Sequence, residues 1–158
     1  MTNPLQDLSE RIQVELTELS QVLSRVEEGW KRSSRSGDDF YLDSVALNLH
    51  SFYSSLERIF EKIAEIVDGE IPKGENWHQA LLVQMTKEIP GIRPAVISNS
   101  TYQKLDGYRG FRHVVRNIYT FQFDPVKIEK LVDELPDTFD QIKTELLAFA
   151  NLLSSASD

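Results

Sequence analysis

Leu5, Leu8, Ile12, Leu16, Leu19, Leu23, Val26 and Trp30 recur at every third or fourth position. Leu42, Val45, Leu49, Phe52, Leu56, Ile59, Ile63 and Ile66 do the same. An α-helix turns once in about 3.6 residues, so each set lines one stripe of a helix. The spacing predicts a helix over about 4–33 and a second over about 39–67. "SSRSGDD" at 33–39 breaks the pattern between them. So short a link makes the two helices antiparallel neighbours. Asp38 and Asp39 suit a helix start, where the macrodipole favours acids, and Asp68-Gly69 suits a C-terminal stop. Glu27 and Glu28 read as a solvated face.

The rest of the chain is also helical, in shorter pieces. "NWHQALLVQMTKE" places Trp77, Leu81 and Met85 at i, i+4 and i+8, which predicts a third helix. Trp30 and Trp77 both fall at core spacing, so they read as packing residues rather than stacking platforms. "IPGIRPAVIS" holds two prolines and a glycine and reads as an irregular loop. "SNSTYQKL" opens a fourth helix, with Ser100 and Gln103 at the spacing of a capping box; it extends to about Tyr119. "FQFDP" interrupts, with Asp124 as a cap and Pro125 at the first helical position. A last helix carries Ile128, Leu131, Leu135, Phe139, Ile142, Leu146, Phe149 and Leu153. Pro136 lies inside that pattern and is expected to kink or restart it. No segment reads as a strand. The expectation is an all-α antiparallel bundle of about five helices, one domain over 1–158 with no internal repeat.

Composition narrows the chemistry. There are no cysteines and only three histidines, so thiolate metal sites and disulfides are excluded and zinc is not expected. No glycine pattern forms a phosphate loop, and no cofactor is implied. "MTNPLQDLSERIQ" is polar and does not resemble a signal peptide, and no apolar run has the roughly 18 residues of a membrane span. An intracellular, cytoplasmic, soluble protein is expected. The net charge of −8 argues against whole-surface attraction to nucleic acid. The charge is uneven, however: Lys104 to Arg116 holds four basic residues and one acid.

That basic segment contains "GYRGFRHVVRNIYTF", Gly107 to Phe121. On a helical wheel Tyr108, Phe111, Val115 and Ile118 fall within about 80° and form a core face. Arg109, Arg112, Arg116 and Tyr119 form a second stripe beside it. His113 and Asn117, at i and i+4, lie further round. Arginine is planar, always charged and bidentate towards phosphate, so the stripe suits phosphate recognition. The plainer reading is a bundle edge where the arginines snorkel and pair with acids of the last helix. Like charges at i, i+4 gain a helix nothing, which favours a functional reason. Asp133, Glu134 and Asp137 of "DELPD" could neutralise the stripe or meet a partner. His50 and His78 are not spaced with carboxylates as a metal site.

"WHQALLVQM", "IRPAVIS", "LDGYRGFRHVVRNIY" and "FDPVKIEKLVDELP", in this order, resemble the HepT-like proteins of the HEPN superfamily, over roughly residues 8–153. The resemblance implies a compact helical bundle that forms a homodimer. It implies a metal-independent RNase site in which two Arg…His motifs face each other, with a Tyr two residues after the His. It also implies a toxin role, silenced by an MntA-like nucleotidyltransferase antitoxin that adds AMP to that Tyr. Matched residue by residue, "RHVVRNIY" puts Arg112 at the Arg position, Asn117 at the His position and Tyr119 at the Tyr position. Arg112 would bind and stabilise the scissile phosphate of RNA, and Arg109 and Arg116 would hold the RNA backbone. Asn117 departs from the pattern, because a carboxamide orients phosphate but transfers no proton. His113 would supply proton transfer from a shifted register, or the arginines would carry most of the effect by stabilising charge. The alternative implied by Asn117 is a catalytically weakened relative that serves as a binding module for a nucleotidyltransferase. A third reading is a purely structural bundle.

Overall fold

The computed structural model describes residues 3–117 and 123–156. Five α-helices follow one another in these residues: α1 Pro4–Ser36, α2 Phe40–Ile63, α3 Trp77–Met85, α4 Asn99–Asn117 and α5 Pro125–Ala156. No strand occurs among the described residues, so the all-α expectation holds. No described helix is long and apolar enough to cross a membrane.

Each end has a local cause. Asn3 accepts from the backbone N–H groups of Leu5 and Gln6, and Pro4 takes the first helical position. α1 runs three residues beyond its expected end at Ser33. Serines tolerate a last turn, where Ser36 Oγ donates to the Arg32 carbonyl at 2.7 Å. Gly37 then stops the helix in the left-handed region at φ 68°. Asp38 Oδ1 accepts from the Phe40 N–H at 3.0 Å, so the helix-start signal falls on Asp38. α2 passes into a π turn, Ala64–Asp68, before Gly69 ends it.

α3 stops at Met85, short of the expected "TKE", because the Val96 and Ile97 N–H groups take the Met85 carbonyl. The loop that follows is more ordered than its composition suggests. Arg93 is buried and makes a two-pronged ion pair with Asp68 at 2.5 and 2.8 Å. It also donates to the carbonyls of Lys87, Pro94 and Gln84. The π turn carries the Asp68 end of that pair.

Two expectations need correction. The cap of α4 is Ser98, whose Oγ accepts from the Thr101 N–H at 3.2 Å; Ser100 instead accepts from Gln141. Glu145 of α5 receives the Ser98 N–H and the hydroxyls of Ser98 and Thr101. A carboxylate from another helix therefore completes the cap that the local pattern assigned to Gln103. Pro136 does not restart the last helix, for α5 is unbroken from Pro125 to Ala156. Interior proline costs a helix about 3 kcal/mol. Buried Ile128, Leu131 and Leu135 before it and Phe139, Ile142 and Leu146 after it share one core, which holds the axis together.

α1 packs chiefly on α2 and α5, and α2 also packs on α4. Gly29 lets α1 approach α2, because a Cβ there would lie 3.0 Å from Val45 Cγ2. Ser9 Oγ ties α1 to the Ala150 carbonyl at 2.7 Å. Phe52 sits at the centre, edge-on to Tyr108 and to Phe139 with centroids 5.4 and 6.5 Å apart. α4 is thereby held against α2 by its core face.

A basic cleft between α3 and α4

The core face of α4 is as the wheel predicted: Tyr108 and Phe111 are buried and Val115 is half-buried. Tyr108 donates to the Leu131 carbonyl at 2.7 Å, and burial raises its phenol well above the usual range. Ile118 and Tyr119 lie outside the described residues. Beside the core face, Arg109, Arg112, His113, Arg116 and Asn117 all line one cleft of about 510 Å³, opposite His78 at the start of α3.

The arginines differ in how they are held. Arg112 is largely buried; its Nε donates to Ser54 Oγ at 3.2 Å, and a terminal nitrogen lies 4.0 Å from Glu57 Oε1. Arg109 pairs with Asp106 one turn earlier at 2.7 Å. Arg116 is exposed and makes no ion pair among the described residues. Neutralisation thus comes from Asp106 and Glu57. Glu134 and Asp137 of α5 line a different depression, with Lys130 of α5 and Lys104 of α4. Neither "DELPD" nor any other part of α5 forms an ion pair with these arginines among the described residues, so the plainer bundle-edge pairing is not what is seen.

Glu57 is the hub. It is buried on α2, and its second oxygen receives His78 Nδ1 at 2.8 Å. Trp77 packs on the core and lies against the same imidazole, with ring centroids 3.7 Å apart. Glu61, one turn along α2, has its carboxyl raised, first by burial and then by Glu57. Tyr53 is fully buried near Glu57 and Arg109, and burial raises its phenol; its hydroxyl finds no partner among the described residues. His50 has its basicity lowered, first by burial and then by Arg112 and Arg116, against a smaller opposing effect of Glu57.

Asn117 turns partly inward on its own helix. Its amide donates to the His113 carbonyl at 2.7 Å and lies 3.4 Å from His113 Nδ1. The exposed His113 and the half-buried His78 are therefore the imidazoles that line the cleft. No cluster of three or more metal-ligating side chains occurs among the described residues.

Sequence reading found the α4 side of the cleft and missed the side formed by Glu75, Asn76, His78 and Gln79, and with it the α2 side chains that hold Arg112 and His78. His50, Ser54, Glu57 and Glu61 step by four, three and four along α2, a polar stripe beside its apolar seam. That stripe was a legible signal. The partnership of Glu57 with His78 was not, because 21 positions separate them.

A family model described as HepT-like protein matches residues 44–153, more than half of the chain and every residue of the cleft. No curated protein and no solved structure matches the chain. On that match, which rests on the same helices that build the cleft, the chain belongs to the HepT-like family of the HEPN superfamily.

Proposed function

We propose that this protein is a HepT-like toxin that cleaves RNA without a metal ion and is silenced by an MntA-like nucleotidyltransferase. The observation that carries the reading is the convergence of three arginines and two imidazoles on one cleft in a chain of net charge −8. Guanidinium groups suit phosphodiester oxygens, and fixed cations stabilise the charge of a pentacovalent phosphorane. Arg112 is the most buried of the three, so it takes the scissile phosphate. Arg109 and Arg116 hold the flanking backbone. Asn117 orients the phosphate, and His113 transfers a proton. A homodimer joining two fourth helices would bring two such clefts together, and AMP added to Tyr119 would block the site.

Induced expression of the wild type and of Arg112→Ala in a heterologous host tests this. The expected result is growth arrest with RNA loss in the wild type alone, relieved by co-expressed nucleotidyltransferase with one AMP per chain in the intact mass. The purified wild type should also cut RNA in the presence of a chelator. Equal RNA integrity in both strains, together with no cleavage in vitro, would sink the reading.

One observation favours a second reading. The motif position expected to hold His is Asn117, and its amide is engaged with the His113 carbonyl. A weakened relative would use the same cleft only to dock a nucleotidyltransferase. Asn117→His would then gain a toxicity that the wild type lacks.

A further inference from the structure

We infer that His78, oriented by Glu57, is the general base of this cleft, from a helix outside the Arg-His-Tyr segment of α4. The inference rests on the RNA-cleaving reading above. Glu57 Oε2 lies 2.8 Å from His78 Nδ1, and a carboxylate only accepts, so the proton of the neutral ring sits on Nδ1. The lone pair is then on Nε2, which no hydrogen bond occupies among the described residues. The Glu57 side chain is 4% exposed and the His78 side chain 26%, so the carboxylate is sealed and the imidazole reaches solvent. Trp77 braces the ring. Glu57 also lies 4.0 Å from Arg112, so one carboxylate sets the base and the phosphate-binding cation in a common frame. A carboxylate that fixes the tautomer and orientation of a base is the recurring arrangement of hydrolytic sites. The charged and titratable groups that face His78 are Glu57 and Glu61 of α2 and Arg109, Arg112, His113 and Arg116 of α4, with Glu75 on the preceding loop.

The step balances. His78 Nε2 takes the proton of the ribose 2′-hydroxyl, and the 2′-oxygen bonds to phosphorus. The bond from phosphorus to the 5′-oxygen breaks, and that oxygen takes a proton from the imidazolium of His113. The products are a 2′,3′-cyclic phosphate and a 5′-hydroxyl, and solvent restores both rings. Two imidazoles thereby fill the two proton-transfer positions, and Asn117 need fill neither. Glu57 is a positioning residue.

His78→Asn is the informative variant, since its amide can still donate to Glu57 while Nε2 is gone. The probe for binding is a 2′-deoxy oligonucleotide, which cannot be cut. The expected result is a fall in RNA cleavage of about 10²–10⁴-fold with oligonucleotide affinity kept, and loss of the acid limb of the pH–rate profile. His78→Gln serves as a second variant, and circular dichroism reports the fold of both. Cleavage within threefold of wild type overturns the inference and leaves the RNase reading standing. Loss of fold or of oligonucleotide binding in both variants also overturns it, by making the pair structural. A wild type that cuts no RNA removes the RNase reading itself and this inference with it.

Discussion

His50 lies among groups that work against a positive charge. Burial comes first, then Arg112 and Arg116, and together they lower its pKa from 6.5. The sign follows from linkage. The unfolded chain binds the proton more readily, so stability is level above that value and falls as pH drops below 6.5 towards the folded pKa. Urea titrations across this range should show His50→Gln losing less stability on acidification than the wild type; equal slopes would count against the assignment. This residue shows where sequence reading stops. Arg109, Arg112, Arg116, His113 and Asn117 were legible because one helix places them by its own period. The α2 stripe of His50, Ser54 and Glu57 is visible as a period, but its role and that of His78 are not, because they depend on which helix lies opposite.

At the scale of elements, the loop between α3 and α4 is the least expected part. Its two prolines and glycine predict an irregular loop, yet Arg93 and Asp68 are each 1% exposed in their side chains and pair face to face. Gln84 adds a bond to the same carboxylate at 2.8 Å. Arg93→Ala should cost about 3–5 kcal/mol, because it strands a buried charge. Asp68→Ala should cost a similar amount, and the double variant should be less damaging than the two costs added. Denaturant unfolding measures all three. The boundaries followed the same logic as this loop. Helix interiors obeyed periodicity, whereas the start of α4 awaited Glu145, the end of α3 awaited Val96 and Ile97, and continuity through Pro136 awaited a shared core.

Across the whole molecule, Phe52 joins the helix that carries Glu57 to the helix that carries Arg112. It contacts Tyr108 of α4 and Phe139 of α5 edge-on. Phe52→Ala should cost about 3–5 kcal/mol in denaturant unfolding. Oligonucleotide affinity should fall with it, since Arg112 in the cleft and Glu57 behind it lose their common support; unchanged affinity at full folding would show that they are set independently. The apolar period alone was enough to imply a bundle of five helices, its core faces and the arginine stripe of α4, because these depend on positions three or four apart. The side of the cleft at His78, the hub at Glu57, the ion pair at Arg93 and the borrowed cap at Glu145 depend on groups 21 to 58 positions apart. Helical geometry acts over one turn and is written into neighbouring residues. Pairing between helices follows from how apolar faces of similar strength dock, and no local spacing specifies it.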